Sequence, residues 1–354
     1  MSMTRTAIVA FVLAAGVPVG LGPVGGAIAA TAEPREERVD LRPKFRPGQQ
    51  IRYTMDIDSS TAVTSDQMPE LDQEQKLRQQ ITFVLRVVET GSDGSTIQMV
   101  YERVKVNVES EGFTASYDSA APRPAKPGAT PREKRKDDRR PRDADPAHGE
   151  PGTGVPGGMP TLADMSDDEL LAAAMEGIAG TVVTIDLDAA GNIKSVRGTE
   201  SLSGGGVLPG LPGGGGMGLP VPSKGANGPW SISSPGQSGF ARVGESWTTT
   251  SSLGNTPLGA FEMVTRYTLR SAAGGRAEIA ISGGIEASSA SSAPGSAGGA
   301  QVREARYNGR CIWDTNQGQL REMTTTQSAT IEGSGLGVPM RMKSNTEMRV
   351  RRAG

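Results

Sequence analysis

The chain has 354 residues, with 37 Lys and Arg against 39 Asp and Glu and a formal charge of −2, so no global field draws it to nucleic acid or to an anionic lipid surface. Only 36% of the residues are hydrophobic and 4% aromatic, while 48 are Gly and 24 Pro; much of the chain is turn or linker, and the core belongs to a subset of residues. A single cysteine, Cys311, and a single histidine, His148, exclude an intramolecular disulfide and a tetrahedral His/Cys metal shell.

Arg5, followed by the apolar stretch Ala7 to Val17, reads as the n- and h-regions of a signal peptide, assigned to residues 1–30. Small-x-small sites at Ala27-Ile28-Ala29 and Ala30-Thr31-Ala32 predict cleavage there. A retained anchor needs about 20 unbroken apolar residues, and Gly16, Pro18, Gly20 and Pro23 interrupt this run. No cysteine adjoins the cleavage site to accept a lipid. The mature protein is therefore expected in the periplasm or the extracellular medium, with no integral membrane segment after cleavage.

Residues 39–119 form a first β half. Ile51, Tyr53, Met55 and Ile57 alternate with polar residues, as do Ile81, Phe83, Leu85 and Val87, and period two puts each set on one face of a strand. From Ile97, Met99 and Tyr101 the apolar phase shifts to Val104, Val106 and Val108, which predicts a bulge at Glu102-Arg103. Residues 120–160 lack apolar runs and read as a disordered linker; its stretch Arg132 to Asp145 mixes seven basic with five acidic residues, unlike a one-sign nucleic-acid patch.

Residues 161–200 supply a helix and a hairpin that complete the first half. Ser166-Asp167-Asp168-Glu169 is a capping box, Leu170, Leu171, Ala174 and Met175 form an apolar stripe, and Gly177 or Gly180 is the expected stop. Val183, Ile185 and Leu187 then pass through Asp188-Ala189-Ala190-Gly191-Asn192 into Ile193 and Val196, a hairpin pattern. Residues 201–239 are a flexible Gly/Pro loop, whose glycines lack the Gly-Lys-Ser/Thr of a phosphate cradle.

Residues 240–352 form a second β half: Phe261, Met263, Tyr267 and Leu269 share a face, then come Ala277, Ile279 and Ile281, then Met323 to Ile331. Met340, Met342, Met348 and Val350 close the series, alternating with charged residues. The halves also echo each other. Gly48-Gln49-Gln50-Ile51 matches Gly244-Glu245-Ser246-Trp247, the turn at Gly91 to Gly94 matches Gly274-Gly275, and Tyr117-Asp118-Ser119 matches Trp313-Asp314-Thr315.

Catalytic chemistry finds little purchase. His148 lies in the linker, so a Ser-His-Asp or Cys-His arrangement has no ordered base. Asp186 to Arg197 opens like a calcium loop but carries Ala190 at its fifth position and Arg197 at its twelfth. Asp118 and Asp314 are a conceivable carboxylate pair with few aromatic platforms to serve it. No enzyme activity, cofactor, metal site or nucleic-acid partner is expected.

The mature start, Val39-Asp40-Leu41-Arg42-Pro43-Lys44-Phe45-Arg46-Pro47-Gly48-Gln49, with Tyr117-Asp118-Ser119, Val243-Gly244-Glu245-Ser246-Trp247 and the Asp314 to Gly318 turn, resembles a family of secreted bacterial proteins with no assigned activity. Its β-rich layout is similar to the curved half-barrels of the LolA/LolB-like lipoprotein carriers; the long charged insert is a departure. The resemblance implies long antiparallel strands in a curved sheet or half-barrel around one short plug helix; with the period-two pattern and the internal repeat, the expected fold is mainly β and built from a duplicated half. Two functions are compatible with it. The concave face binds an acyl chain or other apolar ligand, lined by Met55, Phe83, Leu85, Met99, Met263, Tyr267, Met323, Met342 and Leu171. Alternatively, the face is filled and the protein is an envelope scaffold that recruits a protein partner.

Overall fold

A computed structural model describes residues 38–121, 165–175, 177–199, 202, 239–256, 259–287, 301–335 and 338–354. The assigned signal peptide, His148 and, apart from residues 120–121, 202 and 239, the two assigned linkers lie outside the described residues.

The elements in chain order are β1 (Val39–Asp40), β2 (Gln50–Thr64), β3 (Gln73–Gly91), β4 (Gly94–Ser110), β5 (Phe113–Asp118), α1 (Asp167–Met175), β6 (Val182–Asp188), β7 (Ile193–Arg197), β8 (Phe240–Ala241), β9 (Ser246–Thr256), β10 (Gly259–Ala273), β11 (Arg276–Ala287), β12 (Gln301–Asp314), β13 (Gln319–Gly335) and β14 (Val338–Arg352). Twelve strands make one antiparallel sheet in the order β7-β6-β4-β3-β2-β14-β13-β12-β11-β10-β9, with β5 added to β4, and β1 pairs separately with β8. The edge of β4 is shared, residues 94–100 going to β6 and 105–110 to β5. The sheet is open, since β7 and β9 end it rather than pair with each other.

Local chemistry accounts for these elements. The phase shift in β4 is a bulge: Thr82 faces Arg103 and Phe83 faces Tyr101, leaving Glu102 as the extra residue, where its carboxylate meets Arg52 Nε at 2.8 Å. The capping box forms, with Ser166 N–H donating to Glu169 Oε2 at 2.9 Å and Glu169 N–H to Ser166 Oγ at 3.3 Å. Asp167 and Asp168 accept from the backbone N–H of Thr114 and Ser116, so the helix's acidic first turn also ties it to β5. In the β6–β7 hairpin, Asp188 Oδ1 accepts from the N–H of Ala190 and of Asn192, the hydrogen bonding of an Asx turn rather than of a metal loop.

The repeat reaches beyond residue type. Gly48 N–H donates to Val87 O and Val87 N–H to Gln49 O; Gly244 N–H donates to Leu269 O and Leu269 N–H to Glu245 O. Both glycines sit at positive φ, 76° and 90°, where a side chain is strained. The Gln49 and Glu245 side chains each accept from the N–H three residues earlier, Arg46 and Arg242. A register shift follows directly in both halves, after Val87 and after Leu269. Asp118 and Asp314 each accept the N–H two residues on. The meanders β2–β5 and β9–β12 thus open and close with the same hydrogen bonds.

The core lies on one face. Tyr53, Met55, Ile81, Phe83, Met99, Tyr101, Val104, Leu269, Ile279, Cys311, Trp313 and Val350 join one buried cluster, to which α1 contributes Leu171 and Met175, both fully buried. The sheet must curl to make it. β6 and β12 stand six strand positions apart, roughly 29 Å in a flat sheet, yet Ile185 of β6 and Trp313 of β12 line the same small cavity. The far ends of the long strands carry a separate cluster of Ile285, Ala329 and Ile331.

Candidate functional site

The nine residues expected to line an apolar site divide between two places. Met55, Phe83, Leu85, Met99, Tyr267, Met323 and Leu171 are buried together in the main cluster. Met342 packs instead on the distal cluster, and half-buried Met263 pairs in register with Ile285 of that cluster. Register explains the division: Val350 faces Met55, whereas Met342 faces Val63, eight residues along the strand and so roughly 26 Å away. Alternation puts all these side chains on one face without fixing their height on it.

The main cluster is tightly packed. Its apolar cavity measures about 30 Å³ and is lined by Pro43, Phe45, Tyr53, Leu85, Ile97, Ile185, Leu187, Ile193, Trp313, Gln319 and Leu320. It lies along a seam where the β6–β7 hairpin meets the β12–β13 turn, with no strand pairing between them. The segment before β2 straps this seam. Leu41 N–H donates to Gly239 O, Lys44 Nζ donates to Thr315 O at 2.6 Å, the Arg42 guanidinium lies 4.5 Å from the centroid of Phe240, and Phe45 packs half-buried on the core. Leu41 and Leu171, at 2% and 0% exposure, anchor the strap and the helix.

Polar groups enter the cavity wall at a few points. Tyr53 Oη donates to Leu320 O at 3.2 Å. Trp313 and Gln319, each 3% exposed, carry N–H groups, Nε1 and Nε2, that no acceptor among the described residues reaches. In the sequence Trp313 stands out only through the repeat, and Gln319, Pro43 and Phe45 carry no site signal; a Trp beside a turn is a faint one.

Two larger spaces are open grooves with charged walls. One of about 420 Å³ runs past Asp58, Lys76, Arg78, Arg306 and Glu347, and one of about 600 Å³ past Arg276, Arg321, Arg351, Arg352, Glu278 and Glu322. The proposed carboxylate pair does not converge on either, or on the apolar cavity. Asp118 is held by two Arg103 N–H groups, at 3.0 and 2.6 Å, and this pairing pulls its pKa down to about 2, the wrong direction for a general acid. Asp314 accepts from the N–H of Asn316 and Gln317 and meets Arg321 at 3.5 Å. Cys311 is fully buried, and desolvation pushes its thiol pKa up, which disfavours the nucleophilic thiolate. Among the described residues no three His, Cys, Asp or Glu side chains converge as a metal site, and no helix is long and apolar enough to cross a membrane.

No protein-family model matches the sequence, and no curated protein does. Among solved structures the chain is similar to lipovitellin, in work on its lipid–protein interactions, at 9% identity and a TM-score of 0.36, over 88% of this chain and 26% of that one. It is also similar to an outer membrane channel from Pseudomonas putida F1, at 8% identity and a TM-score of 0.23, over 88% of this chain and 98% of that one. The chain thus spans about a quarter of the lipovitellin chain's length. Neither neighbour is a LolA/LolB-like carrier, and at these scores the likeness is one of β-rich layout and carries no argument about ligand or partner.

Proposed function

We propose that this is a non-catalytic exported protein of the cell envelope that holds an apolar ligand, an acyl chain, in the seam between the β6–β7 hairpin and the β12–β13 turn. The observation that supports it is how the seam is closed. Its walls are Leu85, Ile97, Ile185, Leu187 and Ile193, and side chains with a short strap seal it where the rest of the sheet is held by ladder hydrogen bonds. Among the described residues no ladder bonds cross the seam itself, and lifting Pro43 and Phe45 would expose a continuous apolar wall.

A second reading, an envelope scaffold acting through its surface, is favoured by the packing itself. The closed cavity of about 30 Å³ is far below the ~300 Å³ of a ligand pocket, so the carrier reading requires the strap to move. Native mass spectrometry of protein purified from its own envelope separates the two. The carrier reading expects co-purifying lipid, on a chain beginning between Ala30 and Glu33. Lipid-free protein that also fails to take up a fluorescent fatty-acid analogue would establish the scaffold instead.

A further inference from the structure

The N–H groups of Trp313 and Gln319 in the seam have no acceptor among the described residues. Trp313 Nε1 is a donor only. For Gln319 the orientation of the amide follows from its neighbour: Arg352 Nη1 donates to Gln319 Oε1 at 3.1 Å, and an arginine can only donate, so the oxygen faces Arg352 and the Nε2 group is the one left without a partner. Tyr53, on the same wall, already spends its hydrogen on Leu320 O. An unmet buried donor is destabilising, and here the two residues that carry such donors line one cavity whose other walls are almost wholly hydrocarbon. The space admits a single small polar atom group.

We infer that this corner seats one acceptor oxygen of an acyl head group, the carbonyl of an ester or the carboxylate of a fatty acid, on Trp313 Nε1–H and Gln319 Nε2–H. The inference rests on the apolar-ligand reading above and adds the ligand's polarity and direction. The hydrocarbon tail runs away along Ile97, Ile185 and Ile193, and the head lies towards β12 and β13. Arg352, behind the amide, polarises Gln319 and favours a negative head group over a positive one.

Three twelve-carbon compounds test this on the full mature chain: dodecanoate, methyl dodecanoate and dodecyltrimethylammonium, with binding measured by calorimetry. Two hydrogen bonds made only by the first two should give each of them about tenfold tighter binding than the cation; dodecanoate ahead of its ester identifies the free carboxylate, and parity identifies the carbonyl. Gln319→Leu and Trp313→Phe, which keep bulk and remove one donor each, should each cut that preference to about threefold, one of the two bonds being lost, while retaining binding of the cation. Should either variant fail to fold, the indole N–H resonance of Trp313 in the wild type serves in its place, moving with dodecanoate and staying still with the cation. Equal affinity for all three compounds, or an indole resonance indifferent to dodecanoate, would overturn the head-group seat and leave the apolar-ligand reading standing. Absence of binding by any of them would overturn both.

Discussion

Leu171→Ala asks whether the helix is part of the core or an ornament on it. Leu171 is fully buried, at 0% relative exposure, within the main cluster. Truncation removes about three carbon groups at ~0.8 kcal/mol each, roughly 2.4 kcal/mol. A cavity left by the helix, which is held from both ends, adds to this at ~24 cal/mol per Å³, for a total of about 4 kcal/mol. The comparison is Asp168→Ala, which removes the carboxylate accepting from Ser116 N–H at 2.6 Å on the exposed side and should cost about 1 kcal/mol. Equilibrium urea denaturation of both variants, with unchanged m-values, reads the difference directly. Equal costs for the two would mean that α1 does not dock through its apolar stripe, and the account of the core would fail with it.

The strand-opening motif makes the two halves comparable. Gly48→Ala and Gly244→Ala meet no atom within 4 Å of the new Cβ, so each should lose only the ~1–2 kcal/mol of forcing a side chain to positive φ; urea midpoints shifted by similar amounts are expected, and a neutral effect at either position would break the equivalence. Asp118 carries a pH signature. Its folded pKa, about 2, lies below the ordinary 3.8 because of Arg103, so its contribution is complete above about pH 5 and is lost as pH falls towards 2. The melting-temperature gap between wild type and Asp118→Asn should therefore narrow between about pH 5 and about pH 2.5, and a constant gap would show that the ion pair does not couple to folding.

Much of this protein was legible along the chain because period-two alternation, caps and turn residues are local. Ile51 to Ile57 and Ile81 to Val87 declared their buried faces, the phase change after Tyr101 placed the bulge at Glu102, and Ser166 with Glu169 announced the helix. The matched Gly-Gln and Gly-Glu pairs pointed to hydrogen bonds that both halves make. Tertiary structure decided what alternation is blind to. Strand period fixes a face but neither a height on it nor a neighbour across it, so Met342 and Met263 looked equivalent to Met55 until pairing placed them along the distal part of the strands. The pairing of β2 with β14 joins residues close to opposite ends of the described chain, and no local pattern encodes it. The seam is the furthest from sequence of all: it exists because the sheet curls until Ile185 and Trp313 line one cavity, and the unmet donors of Trp313 and Gln319 become significant only once folding has taken them out of water.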